Sequence, residues 1–315
     1  MNRSIADIQV VGLGQASLDY LGRIPFYPEQ DGKVELMDLH MQCGGPASTA
    51  LVTLSRLGIA TSFIGSISDD PLGQEILKGL KEEKVDTRFL KITPGYSSQF
   101  AFIAIAEKTG KRNIFWRRGS APFLRTSDVD LSPFLNVRVL HLDGLMIDAS
   151  VEAARQARDM GIRVLLDAGT MREGSRELVR FVDVLIASEQ FSAPLVGSDA
   201  TPETALEALK ELCPGDVVIT LGSRGSLGSY NNKLIYQDAF PVRSVDTTGA
   251  GDVYHGAYIY GLLKEWDMVT CMRFASATAA IKCRKIGARQ GIPTLHQIKK
   301  FMDSFDQVLY NKKHI

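Results

Sequence analysis

The chain has 315 residues, which is enough for one large domain with a small addition. Lys plus Arg and Asp plus Glu both number 36, so no net charge would draw the chain onto nucleic acid or an anionic membrane. The sequence contains no run of about 18 apolar residues and no secretory signal pattern. We therefore expect a cytoplasmic protein that acts on small molecules, with neither nucleic acid nor a membrane as a partner.

Short runs rich in β-branched residues alternate with amphipathic stretches along the chain. The runs that we predict as strands are Ile8–Val11, Ser62–Ile67, Val137–Leu142, Arg163–Asp167, Val182–Ala187 and Asp216–Leu221. Helices are predicted to begin at Pro46, at Pro71, and at a cap formed by Asp148 or Ser150. This alternation predicts an α/β fold, a three-layer α/β/α sandwich with a mostly parallel sheet.

Two segments, residues 19–42 and 97–118, do not fit the alternation. The first contains Pro25, Pro28 and Gly32 and has no helical period. The second has the pattern of two strands, Gln99–Ala106 and Arg112–Trp116, joined by a hairpin turn at Lys108-Thr109-Gly110-Lys111. Together they predict either a small separate sheet or a decorated edge of the main sheet.

The most informative segment is Val245–Gly256, where a predicted strand leads into a glycine-bearing turn and then a helix. Gly249, Ala250 and Gly251 have small side chains or none, so their main-chain N–H groups can approach a ligand closely. Unpaired N–H groups at the start of a helix bind anions, and phosphate is a common one. The turn is therefore a candidate anion hole.

Asp252 lies beside this turn, in the first turn of the predicted helix. A carboxylate there would repel a bound phosphate, but it suits a base that takes a proton from an attacking hydroxyl during phosphoryl transfer. The alternative is that Asp252 only caps the helix and the glycines only turn the chain. The oxygens of Asp246, Thr247 and Thr248, just before the turn, favour the functional interpretation.

The string Asp246–Asp252, DTTGAGD, resembles the carboxyl-terminal signature of the PfkB, or ribokinase-like, carbohydrate kinases. Gly44-Gly45 before a helix resembles the family's amino-terminal signature, and Val218–Gly225 resembles its nucleotide-binding strand and loop. The resemblance covers nearly the whole chain and implies a single ribokinase-like domain over residues 1–315. It also implies that residues 19–42 and 97–118 form a β-sheet lid, which closes over the sugar and often forms a homodimer interface.

The resemblance implies an enzyme that uses ATP and Mg²⁺ to phosphorylate a hydroxyl of a small sugar or sugar derivative. Asp252 would be the base, with Gly249, Ala250 and Gly251 as the anion hole. The other implied positions are Asp19, Lys33, Gly44, Gly45, Thr49 and Asp143 for the sugar, Ser188, Thr220, Gly222, Ser223 and Gly225 for ATP, Glu189 for the metal, and Asp246 and Thr248 for the K⁺ ion that part of the family binds. Taken alone, the Gly222–Gly225 loop is equally compatible with an ordinary turn.

Two positions depart from the family's pattern. Thr49 stands where the family has Asn, so a shorter side chain without an amide must contact the sugar differently. Ser188-Glu189-Gln190-Phe191 stands where the family has an Asn-x-x-Glu motif linked to Mg²⁺. Phe191 cannot ligate a metal, which leaves Glu189 as a partial substitute.

Local motifs at residues 44–50, 253–256 and 280–293 resemble sulfofructose kinases and, more distantly, ketohexokinases. A sulfonate would need donors, for which Lys33, Arg117 and Arg118 are candidates. A solvated lid face is the simpler explanation of these cations, and a sulfonated substrate is therefore not assigned.

Three other functions compete with this interpretation. Gly12-Leu13-Gly14 after the first strand suggests a nicotinamide enzyme, but the third glycine of that fingerprint would fall at Ser17. A non-catalytic sugar or nucleotide sensor would keep the fold without turnover. A nucleoside kinase is the third, because aromatic residues such as Phe100 and Trp116 in the predicted lid could stack on a base.

Overall fold

The computed structural model describes residues 4–231 and 233–313. Its strands are β1 (Val10–Leu13), β2 (Ser17–Ile24), β3 (Asp38–Gly44), β4 (Thr61–Ser68), β5 (Leu90–Thr93), β6 (Phe100–Ala106), β7 (Arg112–Arg117), β8 (Val139–Leu142), β9 (Arg163–Ala168), β10 (Val184–Ser188), β11 (Asp216–Thr220), β12 (Ser226–Tyr230) and β13 (Lys233–Gln237). Its helices are α1 (Pro46–Arg56), α2 (Pro71–Glu82), α3 (Ile147–Asp159), α4 (Ser175–Val179), α5 (Glu189–Val196), α6 (Pro202–Leu212), α7 (Ala250–Leu263), α8 (Met268–Lys282) and α9 (Leu295–Lys313). Within the described ranges, no helix is both long and apolar enough to cross a bilayer.

The main sheet has the strand order β13-β12-β11-β10-β9-β8-β1-β4-β5. Neighbours from β11 to β5 pair in parallel, and β12 and β13 add an antiparallel hairpin at one edge. The predicted α/β sandwich with a mostly parallel sheet is therefore confirmed.

Strand β1 shows why its sequence is apolar throughout. Val11 and Leu13 belong to one hydrophobic cluster, and Val10 belongs to the other, because successive side chains point to opposite faces of a strand. All four residues of the strand are buried. Helices therefore cover both faces of the sheet, which is the usual environment of parallel strands.

Local signals explain most helix starts. Pro46 opens α1 directly after Gly45, whose φ of 94° favours glycine. Asp70 caps α2 by accepting a hydrogen bond from the main-chain N–H of Gly73 at 2.9 Å. The third expectation was wrong in detail, because α3 begins at Ile147 without a side-chain cap.

The two segments that break the alternation contribute a separate sheet of order β3-β2-β6-β7. Strand β2 pairs in parallel with β6, and β3 and β7 pair antiparallel at the two edges. One face of this small sheet buries Leu21, Ala101, Ile103 and Ile105, with Ile286 packed against them. The first of the two sequence alternatives, a separate sheet, is therefore correct.

Parallel strands also determine where polar side chains meet. Five neighbouring strands, β1, β8, β9, β10 and β11, run in the same direction, so their carboxyl ends lie at one edge of the main sheet. Each has a polar residue at or just after that end, which are in turn Gln15, Asp143, Asp167, Ser188 and Thr220. Ligands of open α/β sheets bind at this carboxyl edge. The small sheet and the start of α7 lie against it through the contacts described below.

Candidate active site

The glycine-bearing turn has the geometry of an anion site. Gly249 precedes α7 with a φ of 74°, and a Cβ at this position would lie 2.7 Å from the Cβ of Ala288, so backbone and packing both require glycine. The N–H of Ala250 donates to the carbonyl oxygen of Thr247 at 3.1 Å. Within the residues described, the next two N–H groups, of Gly251 and Asp252, have no hydrogen-bond acceptor. They are free for a ligand at the positive end of the helix.

Open space adjoins these two N–H groups. A Cβ built on Gly251 would meet no atom within 4 Å, and the residue is exposed. This differs from Gly249, where the protein itself fills the equivalent space. A ligand can therefore approach the main chain at Gly251.

Asp252 carries a carboxyl group with a perturbed pKa. The pKa of Asp252 is raised to about 6, first by burial and then by the neighbouring Asp167 carboxylate, and the nearby side chains of His255, Lys282 and Arg112 oppose the shift. A carboxylate with a pKa near 6 is ionised at neutral pH and is a stronger base than an ordinary aspartate.

The sequence did not point to Asp167 as a neighbour of Asp252, whereas His255 is one helical turn further along α7. His255 Nδ1 donates to the carbonyl oxygen of Gly251 at 2.6 Å and lies 3.4 Å from Asp167 Oδ2. Burial raises the pKa of Asp167 to about 7. A polar residue at the end of a buried strand was the available signal for Asp167, and Asp143, which has a similar place after β8, was selected through the family resemblance.

The small sheet contacts the glycine-bearing turn of residues 246–252, called the anion turn below, through Arg112, another residue that the sequence did not select. On β7, Arg112 donates from Nη1 to the hydroxyl oxygen of Thr247, and its Nε has no acceptor within the described part of the chain. On β3, Gln42 donates from Nε2 to the carbonyl oxygen of Ile286 at 3.3 Å. Two of the strands of the small sheet thus contact the loops around the start of α7.

Asp19 and Gly44 lie together, as the sequence predicts. A Cβ on Gly44 would lie 2.0 Å from Asp19 Oδ2, so only glycine fits beside this carboxylate. Ser17 donates to Asp19 Oδ1 at 2.7 Å. Burial raises the pKa of Asp19 to about 6, and the hydrogen bond from Ser17 and the charge of Arg289 oppose the shift.

Arg289 is a buried cation behind Gly44. Its Nη2 donates to the carbonyl oxygen of Gly44 at 3.1 Å and to Ser48 Oγ at 2.9 Å. Its Nε and Nη1 have no acceptor among the described residues. The guanidinium therefore holds the Gly44 backbone and places a positive charge near Asp19.

Asp143 has main-chain partners. Its Oδ2 accepts from the N–H of Gln15 at 2.6 Å and from that of Ala47 at 3.4 Å, and its Oδ1 accepts from Leu145 at 3.1 Å. The carboxylate joins the loop after β1 to the start of α1. These three hydrogen bonds give Asp143 a structural role, and its expected contact with the sugar stays a prediction.

The remaining sugar-site predictions differ in burial. Thr49 is fully buried in α1, and its Oγ1 has no partner within the described residues. Lys33 is exposed in the connection between β2 and β3. No contact joins Lys33 to the other predicted sugar residues in the part of the chain described.

The predicted nucleotide residues follow β10 and β11, which are neighbours in the sheet. Thr220 donates from Oγ1 to the carbonyl oxygen of Ala187 at 3.3 Å, and Ser188 donates to that of Gly169 at 2.7 Å. Gly222 and Gly225 have φ values of 60° and 96°, so the loop requires glycine at both positions. Gly222, like Gly251, has open space where a Cβ would lie, and Ser223 beside it is exposed.

Glu189, the proposed metal ligand, has another partner. It is exposed at the start of α5 and forms an ion pair with Arg224, which ends the Gly222–Arg224 turn. Phe191 is buried in the core, as expected of an apolar residue at that position. The ion pair links the loops after β10 and β11.

Comparison with known proteins identifies the family to which the chain belongs. A family model described as pfkB family carbohydrate kinase matches residues 9–295. The chain belongs to this family of carbohydrate kinases, which are phosphotransferases, and the fold resembles ribokinase structures over nearly its whole length. The family resemblance inferred from Asp246–Asp252 is confirmed.

Two relatives and two solved structures illustrate the similarity. Haemophilus influenzae ribokinase is 27% identical, covering 92% of this chain and 97% of the relative. A nucleoside kinase of Methanothermobacter thermautotrophicus is 26% identical, covering 94% and 96%. The ribokinase structure from Thermotoga maritima has a TM-score of 0.81 at 22% identity, covering 94% of this chain and 99% of the other. That of Arabidopsis thaliana ribokinase, complexed with ribose and ATP, has a TM-score of 0.78 at 23% identity, covering 93% and 99%.

Proposed function

We propose that the chain transfers the γ-phosphoryl group of ATP to a hydroxyl of a small sugar or sugar derivative, with Asp252 as the base. The observation that carries the proposal is that the N–H groups of Gly251 and Asp252, which have no acceptor among the described residues, lie next to the Asp252 carboxylate and to open space. Phosphoryl transfer needs donors around the developing charge and a base near the attacking oxygen.

Each of these groups has a separate task. Asp252 accepts the proton of the attacking hydroxyl, so that the oxygen can bond to phosphorus as the bond to the leaving ADP oxygen breaks. The N–H groups of Gly251 and Asp252 hold the oxygens of the transferring phosphoryl group. The cationic side chains of Arg112 and Lys282, which hydrogen-bond Thr247 and Asp246 at the start of the turn, favour this negative charge.

The sugar would lie between Asp252 and the loops after β1 and β8. Support comes from Asp19, held by Ser17 beside Gly44, because an ionised carboxylate is a strong acceptor for sugar hydroxyls. Thr49 has an unpartnered hydroxyl in the described residues, as expected of a group left for a ligand. Gly45, Asp143 and Lys33 are also proposed here, with Lys33 reaching the site only if its exposed loop moves.

ATP would lie over the loops after β10 and β11. The open space at Gly222 lets a nucleotide approach the backbone, and Thr220, Ser223 and Gly225 surround the same turn. Ser188, at the end of the neighbouring strand, completes the proposed site. The ion pair between Glu189 and Arg224 links the two loops at this edge.

The buried carboxyl groups at the carboxyl edge of the main sheet are suited to a nearby Mg²⁺ ion. Asp143, Asp167 and Asp252 all have a raised pKa, caused first by burial, so a divalent cation would relieve the cost of ionising them. Asp167 is the residue that would face Mg²⁺, with the weaker candidate Glu189 at the edge, and Asp252 stays free to act as the base. The ion would neutralise phosphate charge when bound with ATP.

We also propose that the small sheet is the lid of one domain and that its outer face pairs with a second copy of the chain. Leu39, Met41 and Phe115 project from the face opposite the buried one, and they are 55%, 52% and 59% exposed. Exposed apolar faces of this kind commonly mark protein interfaces. Met41→Lys should convert a dimer into a monomer in light scattering. An unchanged mass would contradict the dimer proposal.

A nucleoside acceptor is the second candidate. Trp116 is 57% exposed and lies on the inward face of the small sheet with Ile103, so it could stack on a base at the mouth of the cleft. A cytoplasmic location is proposed for either activity, and the four cysteines, which are all free thiols, support it.

A coupled ADP-release assay tests the function against ketoses, aldoses, nucleosides and sulfonated sugars. Asp252→Asn should lower turnover roughly 10²- to 10⁴-fold while ATP binding is kept, because only proton removal is lost. Asp148→Asn, an exposed carboxylate in the first turn of α3, is the matched control and should be unaffected. ATP binding without turnover of any hydroxyl compound would instead support a nucleotide sensor.

A further inference from the structure

A lysine side chain is buried directly behind the anion turn. Lys282, the last residue of α8, is 0% exposed, and its Nζ donates to the main-chain carbonyl oxygen of Asp246 at 2.9 Å. Lysine is almost never fully buried unless it is paired, because removing an ammonium from water is costly. A buried ammonium at this place therefore calls for an explanation.

The oxygens of Asp246 already have partners. Its Oδ1 accepts from Thr248 N at 2.9 Å and Thr248 Oγ1 at 2.7 Å, and its Oδ2 accepts from the N–H of Gly287 at 2.7 Å. Its carbonyl oxygen accepts from Lys282. These hydrogen bonds tie the start of the anion turn to the loop that follows α8.

The same residues fit a bound K⁺ ion poorly. A cation needs free oxygen atoms, whereas the carboxylate of Asp246 points at N–H groups and its carbonyl faces an ammonium. A second positive charge beside the buried ammonium would also be repelled strongly in this low-dielectric interior. The expectation from the sequence that K⁺ binds at Asp246 and Thr248 stays a prediction. The hydrogen bonds favour a side-chain ammonium in place of this ion as the positive charge beside the turn.

We propose that Lys282 is the cation of this site, built into the chain, and that the enzyme does not require a monovalent metal ion. The ammonium positions the Asp246 end of the anion turn and favours negative charge in front of it. Lys282 is thus a positioning residue for phosphoryl transfer, and this inference rests on the proposed function. Its contact is with the backbone of the turn, so the side chain has no need to touch the substrate.

Two variants separate charge from packing. Lys282→Ala removes the ammonium and leaves room for a small cation, whereas Lys282→Met removes the charge but keeps most of the side-chain volume. The binding of MgADP, turnover and the melting temperature are measured for both variants and the unaltered protein. The buffer contains only a bulky organic cation, with K⁺ or methylammonium added as the probe.

The unaltered protein should respond less than about twofold to K⁺ or methylammonium. Lys282→Ala should lose roughly tenfold or more in MgADP affinity and turnover, the scale of one hydrogen bond to a charged group. Methylammonium or K⁺ should restore a large part of the loss and raise its melting temperature. Lys282→Met should show the same loss without restoration.

Strong activation of the unaltered protein by K⁺ would overturn the inference, as would a Lys282→Ala variant that behaves like the unaltered protein or ignores both cations. If Lys282→Ala does not fold, the K⁺ response of the unaltered protein still decides the question. If the unaltered protein binds no MgADP, the proposed function fails. The effect of methylammonium on the melting temperature of Lys282→Ala then still reports on the cation position.

Discussion

Arg112 of the small sheet donates a hydrogen bond to the hydroxyl of Thr247, 135 residues further along the chain, at the start of the anion turn. The contact joins the proposed lid directly to the proposed phosphoryl site. Its guanidinium is also one of the charges that oppose the raised pKa of Asp252. We therefore expect closure of the proposed lid and assembly of the charged site to be coupled through this side chain.

Arg112→Met should lower kcat/KM roughly 10- to 100-fold, because a hydrogen bond to a charged group contributes about 1.5–3 kcal/mol. Arg117→Met, on the same strand but exposed, is the control and should have little effect. Steady-state kinetics of both variants check the prediction. Equal activities would show that the Arg112 contact has no role in turnover.

Gly251 and Gly249 should respond in opposite ways to substitution. Gly251→Val places a side chain in open space, so we expect nucleotide binding to be lost while the melting temperature changes little. Gly249→Ala strains a φ of 74° and pushes against Ala288, so we expect it to lower the melting temperature. Calorimetric titration with MgADP and thermal unfolding distinguish the two. Normal nucleotide binding by Gly251→Val would contradict the anion-hole assignment.

The rate should depend on the ionisation of Asp252. Because the base must be deprotonated and the pKa of Asp252 is raised to about 6, kcat/KM should fall about tenfold per pH unit below pH 6. It should level off above pH 7. The binding of MgADP over the same pH range is the control for ionisation of the nucleotide. A rate that is flat between pH 5 and 7 would exclude Asp252 as the base.

Ionisation of the buried Asp167 carboxyl group should lower the free energy of unfolding at neutral and alkaline pH. Burial raises its folded-state pKa to about 7, above the unfolded value of about 3.9, so the folded state binds more protons between these values. The free energy of unfolding therefore falls as the pH rises from about 4 to 7. Asp167→Asn, which is neutral throughout, should melt several degrees higher than the unaltered protein at pH 8 and lose most of this advantage at pH 5.

The control for this prediction is Asp159→Asn, an exposed carboxylate at the end of α3. It should change the melting temperature little at either pH. The stabilisation by Asp167→Asn should also be accompanied by loss of activity, since Asp167 is proposed to face Mg²⁺. Destabilisation at pH 8 would show that the contact of Asp167 with His255 outweighs the cost of burial.

Sequence patterns predicted the scaffold well because they report local preferences. Val10–Leu13 is apolar throughout because both faces of its strand are covered, and Pro46 after Gly45 marks a helix start that depends on backbone angles alone. The start of α3 was predicted less well. Its first turn is held by packing rather than by a cap, and capping signals do not record packing.

Some residues of the candidate site could likewise be found from the sequence, and others only from the tertiary structure. The string Asp246–Asp252 was enough to predict the chemistry, because a small-residue turn at a helix start and an adjacent carboxylate are neighbours in the chain as well as in space. Only the tertiary structure brought Arg112, Asp167, Lys282 and Arg289 to the same edge of the sheet. These side chains come from distant segments, and the order of the strands, which no local pattern encodes, decides which charges meet.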